Sequence, residues 1–450
     1  MNIIKTSVIA AAAITIVGCG SDSDHPSNPT TQVRVTHASA DAPLVNIKAN
    51  GAILSGLTDV DYQQGSGLIT VDSGTYDLSV EAIGTDGSAS EVLPVPGVNF
   101  APDMQYDVFA LNKTSALQGV ILARSGIKPD SNSVRIDVLH AHPDVGAVDI
   151  HLTTDASIST ATVGVSGLAF AIDSADLPIT VPASTYRIRI TPTGQNTDAD
   201  VVFDSGELDL PGGTDLMVTA VPNVVNSAMG DSPVNLLVAD GSSVTVLRDT
   251  DEKAIVRAGH AIEDAPPVDI LANGAAVAGL TNLTYENVAG TAIAPGTVDV
   301  AVAPTGTTSP QVITVPGATF SAGSETTIFA VGRLNDSSQE ALIIEDDLRG
   351  IATYAKIRVV HANPTAAAAL VDIHAVADGG AFSADTAVLK GVSFKDTAVL
   401  KVAAGTYDLA VAEAGTTNIL LTNTNVPALA NGNVVTAFAT EDSIALNIDK

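Results

Sequence analysis

The sequence predicts an all-β chain of four tandem β-sandwiches, and three observations predict it. One phrase occurs four times, as VRVTHASADAPLVNI from Val33, VRIDVLHAHPDVGAVDI from Val134, IVRAGHAIEDAPPVDI from Ile255 and IRVVHANPTAAAALVDI from Ile357. Each copy heads a stretch of about a hundred residues, long enough to bury a core of its own. Within each stretch the apolar residues alternate over short runs separated by Gly, Pro, Asn and Asp, and no run shows a capped amphipathic helix.

The elements follow in order. Residues 1–18 have signal-peptide proportions, with Lys5 before the apolar run Val8–Val17, which is too short to span a bilayer. Ile16-Val17-Gly18-Cys19 resembles the lipobox of bacterial lipoproteins. That resemblance implies cleavage before Cys19 and acylation of it, and several acyl chains anchor stably. Residues 19–31 read as a flexible polar tether. The sandwiches are expected at 32–127, 133–248, 253–351 and 355–450. In each, the opening strand sets Val33, Val35 and His37, or their counterparts, on the core face. Arg34 and Thr36 share the other face of a half-buried strand. A second signature is Gly74-Thr75-Tyr76, Ser184-Thr185-Tyr186, Gly296-Thr297-Val298 and Gly405-Thr406-Tyr407. An apolar run precedes each, and the pair reads as a hairpin. Further turns centre on Pro102-Asp103, Gly212-Gly213, Ala322-Gly323 and Asn431-Gly432, and strands such as Val234–Ala239 and Ile444–Ile448 close the repeats.

The four repeats carry a second order. His37 and His260 are 223 residues apart, and His140 and His361 are 221 apart. Units one and three share one internal spacing and units two and four another, so a two-domain unit was duplicated, giving A-B-A′-B′. The pattern VRVxHASxDAPxVDI followed by AGTY resembles the bacterial family catalogued as domain of unknown function 4397, across all four units. The resemblance implies an immunoglobulin-like sandwich in an extracytoplasmic setting and no established activity. Ser184 and Val298 depart from its pattern, so neither the glycine nor the tyrosine hydroxyl is needed in every copy.

Composition narrows the function. Twenty basic residues face fifty acidic ones, a formal charge of −30. This excludes a nucleic-acid partner, which needs Lys and Arg clusters. Cys19 is the single cysteine, so no intramolecular disulfide forms and each core must be stable by itself. The repeated His37, His140, His260 and His361, with Tyr76, Tyr186 and Tyr407, are assigned structural roles, the histidines bonding backbone near the Asp-Ala-Pro loops. His140, His142 and His151 are the candidates for a metal site, because two or three imidazoles on neighbouring strands suit zinc or copper. Asp249, Asp251 and Glu252, and Glu345, Asp346 and Asp347, are read as solvated acidic linkers, with calcium as the alternative. Otherwise no cofactor is expected. Gly164-Val165-Ser166-Gly167 lacks the last glycine of a nucleophile elbow. No HExxH, P-loop or dinucleotide fingerprint occurs, and no enzyme is expected.

The expectation is therefore a non-catalytic outer-membrane lipoprotein, surface-exposed or periplasm-facing. It is read as an adhesive or binding stalk of end-to-end sandwiches reaching about 150 Å, with an unknown protein or glycan ligand. The alternative is a periplasmic scaffold or assembly subunit of an envelope complex.

Overall fold

Alternation puts Val33 and Val35 on a core face, and the strand that carries them, Thr30–Ala38, runs inside a sheet and not at its rim. The computed structural model describes residues 28–155, 157–160, 163–172, 178–225, 232–366 and 370–450, and these are all-β with a few 3-10 turns. The leader and Cys19 lie outside them. The fold is under way by Thr30, where Thr30 and Thr31 already pair with Asp72 and Val71.

The described strands form eight sheets, two around each core. In the first pair, one sheet runs Ile69–Asp72, Thr30–Ala38, Met104–Leu111, Gln118–Ser125. The other runs Ala52–Ile53, Val45–Ala49, Gly74–Ile83, Ala89–Phe100. Thr30–Ala38 is antiparallel to Ile69–Asp72 and parallel to Met104–Leu111. The same parallel pairing recurs between Ser133–His140 and Asp215–Pro222, Ala254–His260 and Glu325–Val331, and Ala355–His361 and Val434–Ala439.

One expectation is corrected at the second signature. Ile69–Asp72 and Gly74–Ile83 belong to different sheets, so Ser73 and Gly74 make a corner between layers and not a hairpin. The tyrosine holds this corner. Tyr76 Oη donates to Asp72 O at 2.8 Å, Tyr186 Oη to Pro182 O at 2.9 Å and Tyr407 Oη to Ala403 O at 2.7 Å. A phenol reaching back four residues spans the bend and gives its hydroxyl a partner. Sequence periodicity sees two adjacent strands and a turn, and it does not see the change of layer.

Contacts divide the chain into two compact units, Met1–Asn223 with Ser232–Thr250 and Val224–Asp231 with Asp251–Lys450. Within each unit two sheet pairs meet through the faces that carry Arg34 and its counterparts, so these faces are buried and the strands are not half-exposed. Arg34 and Thr36 are 1% and 4% exposed. In the second unit Ala261, Phe329, Val331, Val360, Ala362 and Phe438 form a separate apolar cluster there, with the Phe329 and Phe438 rings 5.1 Å apart. Flank-to-flank packing within each unit replaces the end-to-end stacking expected there.

Charged residues share both seams. In the first unit an alternating chain runs from Arg34 through Asp107 (2.5 Å), Arg124 (3.3 Å) and Asp215 (3.2 Å) to Arg135 (2.7 Å). Arg34 also donates to Ala239 O and Arg124 to Leu216 O, across the two sheet pairs. In the second unit Arg358 pairs with Asp346 and, at 3.5 Å, with Asp449, while Arg257 pairs with Asp449. Buried ions persist only when each is paired and hydrogen-bonded.

Candidate functional site

The repeated histidines end the opening strands, and alternation turns each ring inward. His37 Nε2 lies 3.3 Å from Pro43 O, His140 Nε2 3.0 Å from Gly146 O and His260 Nε2 3.2 Å from Pro266 O. Nδ1 accepts from the backbone N–H two residues on, from Ser39, His142, Ile262 and, in the fourth copy, Asn363. An aromatic ring stands edge-on to each: Tyr62, Phe170, Tyr285 and Phe394. Neutral imidazole with its proton on Nε2 satisfies this geometry, donating at one nitrogen and accepting at the other. Burial lowers the pKa of His140, His260 and His361. Each ring thus ties its strand end to the following loop. His361 Nε2 has no partner among the described residues, and the sixth residue after it, Ala367, lies outside them.

The metal candidates do not gather into one set. His140 is committed to backbone at both nitrogens. His142 Nδ1 accepts from Asp144 N at 3.3 Å, and His151 Nε2 lies 3.0 Å from Thr191 Oγ1. Among the described residues no group of three or more His, Cys, Asp or Glu is placed to hold a metal ion. The acidic stretches are solvated only in part: Asp251, Glu345 and Asp347 are exposed. Glu252 is fully buried, Asp249 accepts from Asp204 N at 2.7 Å, and Asp346 belongs to the seam with Arg358. Asp347 is bound by Lys356 at 2.5 Å.

Sequence reasoning missed the acid of the repeated Val-Asp-Ile. Asp149 accepts from Gly167 N and Ser166 Oγ with one oxygen and from Gly194 N with the other. Asp269 accepts from Asn282 N and Gly306 N, and Asp372 from Gly391 N and Gly415 N. Every one of these backbone N–H donors has positive φ, a conformation favoured by Gly and tolerated by Asn. Burial raises the carboxyl pKa, but the N–H donors outweigh it and hold all three below the ordinary value. The signal was present as an acid recurring inside an apolar triplet. One backbone partner sits 13 to 19 residues downstream and the other 37 to 45, in differently sized loops, so no short motif contains the set.

A groove opens on the first unit, on the flank of the second sheet pair. In the other three pairs the outer strands of the two sheets touch: Ala89–Phe100 with Gln118–Ser125, Ile313–Phe320 with Glu340–Glu345, and Ile419–Asn423 with Ile444–Ile448. In the second pair one outer strand is broken into Phe203–Asp204 and Leu208–Leu210, and the opposite sheet gains a fifth strand, Val244–Leu247. The space between holds about 590 Å³, within the range of ligand-binding clefts. Its floor is the edge of the core, with Ile188, Leu208, Leu210, Leu216, Val238 and Leu247. Glu207, Asp209, Asp240 and Lys128 stand at its rim, exposed. Asp215 also lines it, but is held by Arg124 and Arg135. The chemistry offered is apolar contact plus anionic hydrogen-bond acceptors.

Comparison with known proteins gives a family and no activity. The family model "Domain of unknown function (DUF4397)" matches residues 31–151 and 254–374. The offset is 223 at both ends, and each match runs from one sheet pair into the start of the next, through Val-Asp-Ile-His. No curated protein matches. Among solved structures, the Bacillus anthracis TIE protein is 11% identical, with 92% of this chain and 68% of that one covered, at a TM-score of 0.15. A family 26 carbohydrate-binding module of Eubacterium rectale Amy13K, in complex with maltoheptaose, is 13% identical over 47% of this chain and 96% of its own, at 0.15. The pneumococcal glycogen-degrading virulence factor SpuA is 10% identical over 88% and 38%, at 0.17.

Proposed function

We propose, on the premise that the chain belongs to the DUF4397 family, that it is a non-catalytic, lipid-anchored binding protein of the bacterial cell envelope. It carries four sandwich domains fused in two pairs. The immunoglobulin-like classification draws on two sheets closing over one core and on the tyrosine at the corner between layers. The internal first strand is a departure from the immunoglobulin order. Anchoring draws on the leader and Cys19, and placement on the outer membrane on Gly20-Ser21 following the cysteine. The observation that carries the binding role is the groove, a preformed apolar cleft with a polar rim on a unit whose two sheet pairs are locked by a buried ion chain. With a surface placement, the ligand is met outside the cell.

The periplasmic scaffold is kept as a second reading because of one flank of the fourth sheet pair. There Val388 and Val399, on the last strands of their two sheets, are 46% and 52% exposed. Open edges with exposed β-branched residues suit strand addition by a partner.

Protease treatment of intact cells, with antibody detection of residues 355–450 and a periplasmic control protein, separates the two. Cleavage in intact cells is expected, and Cys19→Ala is expected to release the protein from the membrane fraction. Protection until the outer membrane is opened would replace the surface role with the scaffold.

A further inference from the structure

We propose that the groove of the first unit receives an extended basic peptide strand in which Lys or Arg alternates with aliphatic residues. This rests on the reading of the groove as the binding site. Three features of the cleft point to that chemistry.

First, the acids sit at one short strand. Asp209 lies on Leu208–Leu210 and Glu207 immediately precedes it, while Leu208 and Leu210 pack on the core. Residues i and i+2 of a strand lie on one side, about 6.6 Å apart. A ligand in the same conformation presents its charges at the same interval. Neither carboxylate is in an ion pair among the described residues. Across the groove Asp240 is fixed at the turn after Val234–Ala239, where its Oδ1 accepts from Ser242 N and Ser243 N at 2.8 and 3.1 Å. Three rim acids face one rim base, Lys128, so the site keeps a negative balance that a basic segment neutralises.

Second, the walls are open sheet edges. Val244–Leu247 is the last strand of its sheet, and among the described residues it pairs only with Val234–Ala239 and Leu208–Leu210 only with Ser184–Pro192. An edge strand leaves alternate backbone N–H and C=O groups directed outward, which an extended peptide satisfies as a further strand. Sugars and small amines make no such use of an edge.

Third, the floor is apolar and continuous with the core. Val238 and Leu247 are only partly covered and pack against the core cluster to which Ile188 and Leu210 belong. Aliphatic side chains at the intervening positions of a basic strand fall on this floor, so one period of two serves both the acids and the apolar residues.

The test is calorimetric titration of the mature full-length protein with three capped ten-residue peptides, alternating Lys/Val, Glu/Val and Thr/Val. The Lys/Val peptide is expected to bind at least tenfold more tightly than the others and to weaken with added salt. Glu207→Lys with Asp209→Lys, at exposed positions outside the core, is expected to remove that preference. Thr245→Trp, which fills the groove from the Val244–Leu247 wall, is expected to abolish binding of every peptide. Circular dichroism melting of both variants reports whether they fold. Binding of all three peptides equally, lost in Thr245→Trp, would overturn the basic ligand while leaving the groove as the site. No binding, or binding indifferent to Thr245→Trp, would overturn both.

Discussion

The histidines and aspartates of the repeated phrase do related work in different charge states. The imidazole is held neutral by burial, and the carboxylate is held ionised by backbone N–H groups. For the histidines the pH consequence has a definite sign. An unfolded imidazole titrates near 6.5, and burial puts the folded value of His140, His260 and His361 lower. Between the two values the unfolded chain binds more protons, so the contribution to stability is complete above about pH 6.5 and is lost as pH falls toward the folded values. The expected outcome in urea unfolding is a midpoint that drops from pH 7.5 to pH 5 and drops less in His260→Gln. A midpoint independent of pH over that range would contradict neutral buried rings. The inward placement of the histidines was legible from alternation. The grip of two backbone N–H groups on each of Asp149, Asp269 and Asp372 was not, because it joins residues in separate loops.

Among elements, pairing decides what alternation leaves open. Gly259 is the register partner of Phe329 on the parallel neighbour strand, and a Cβ there would come 2.3 Å from the Phe329 ring. The ring occupies the glycine's empty side and reaches Phe438. At the equivalent place the other opening strands carry Thr36, Leu139 and Val360. Gly259→Val is therefore expected to destabilise the second unit by about 1–3 kcal/mol through overpacking, read as a lowered melting temperature. The reciprocal Val360→Gly leaves a void and is expected to destabilise as well. Unchanged melting in Gly259→Val would show that the seam yields. The corner strands teach the same lesson. Their existence and bounds follow from Gly-Thr-Tyr and the alternating run after it, but the layer each joins depends on partners far along the chain.

In the molecule as a whole, the cooperative block is the sheet pair of pairs. A fragment of residues 251–450 keeps its seam and is expected to unfold in one transition. A fragment of residues 355–450 uncovers Val360, Phe438 and Arg358 together, and is expected to be marginal or aggregated, since it exposes an apolar face and takes Asp346 from Arg358 and Arg257 from Asp449. Breaking the ion chain of the other unit with Asp107→Ala strands Arg34 and leaves Arg124 with Asp215 alone, and is expected to cost about 3–5 kcal/mol, measured by denaturant unfolding. Independent folding of residues 355–450 at full stability would show that the seam is incidental to it.

By itself the sequence determined the all-β class, the four repeated phrases, their A-B-A′-B′ kinship and the inward direction of the core residues. These follow from period-two alternation and from identity at fixed offsets, both local in the chain. Tertiary structure alone decided that Arg34, Asp107, Arg124 and Asp215 lie in a buried seam, that the corner changes layers and that one flank of the second sheet pair gapes. Alternation states which side chains share a face. It does not state what covers that face, because the covering surface is supplied by strands a hundred residues away.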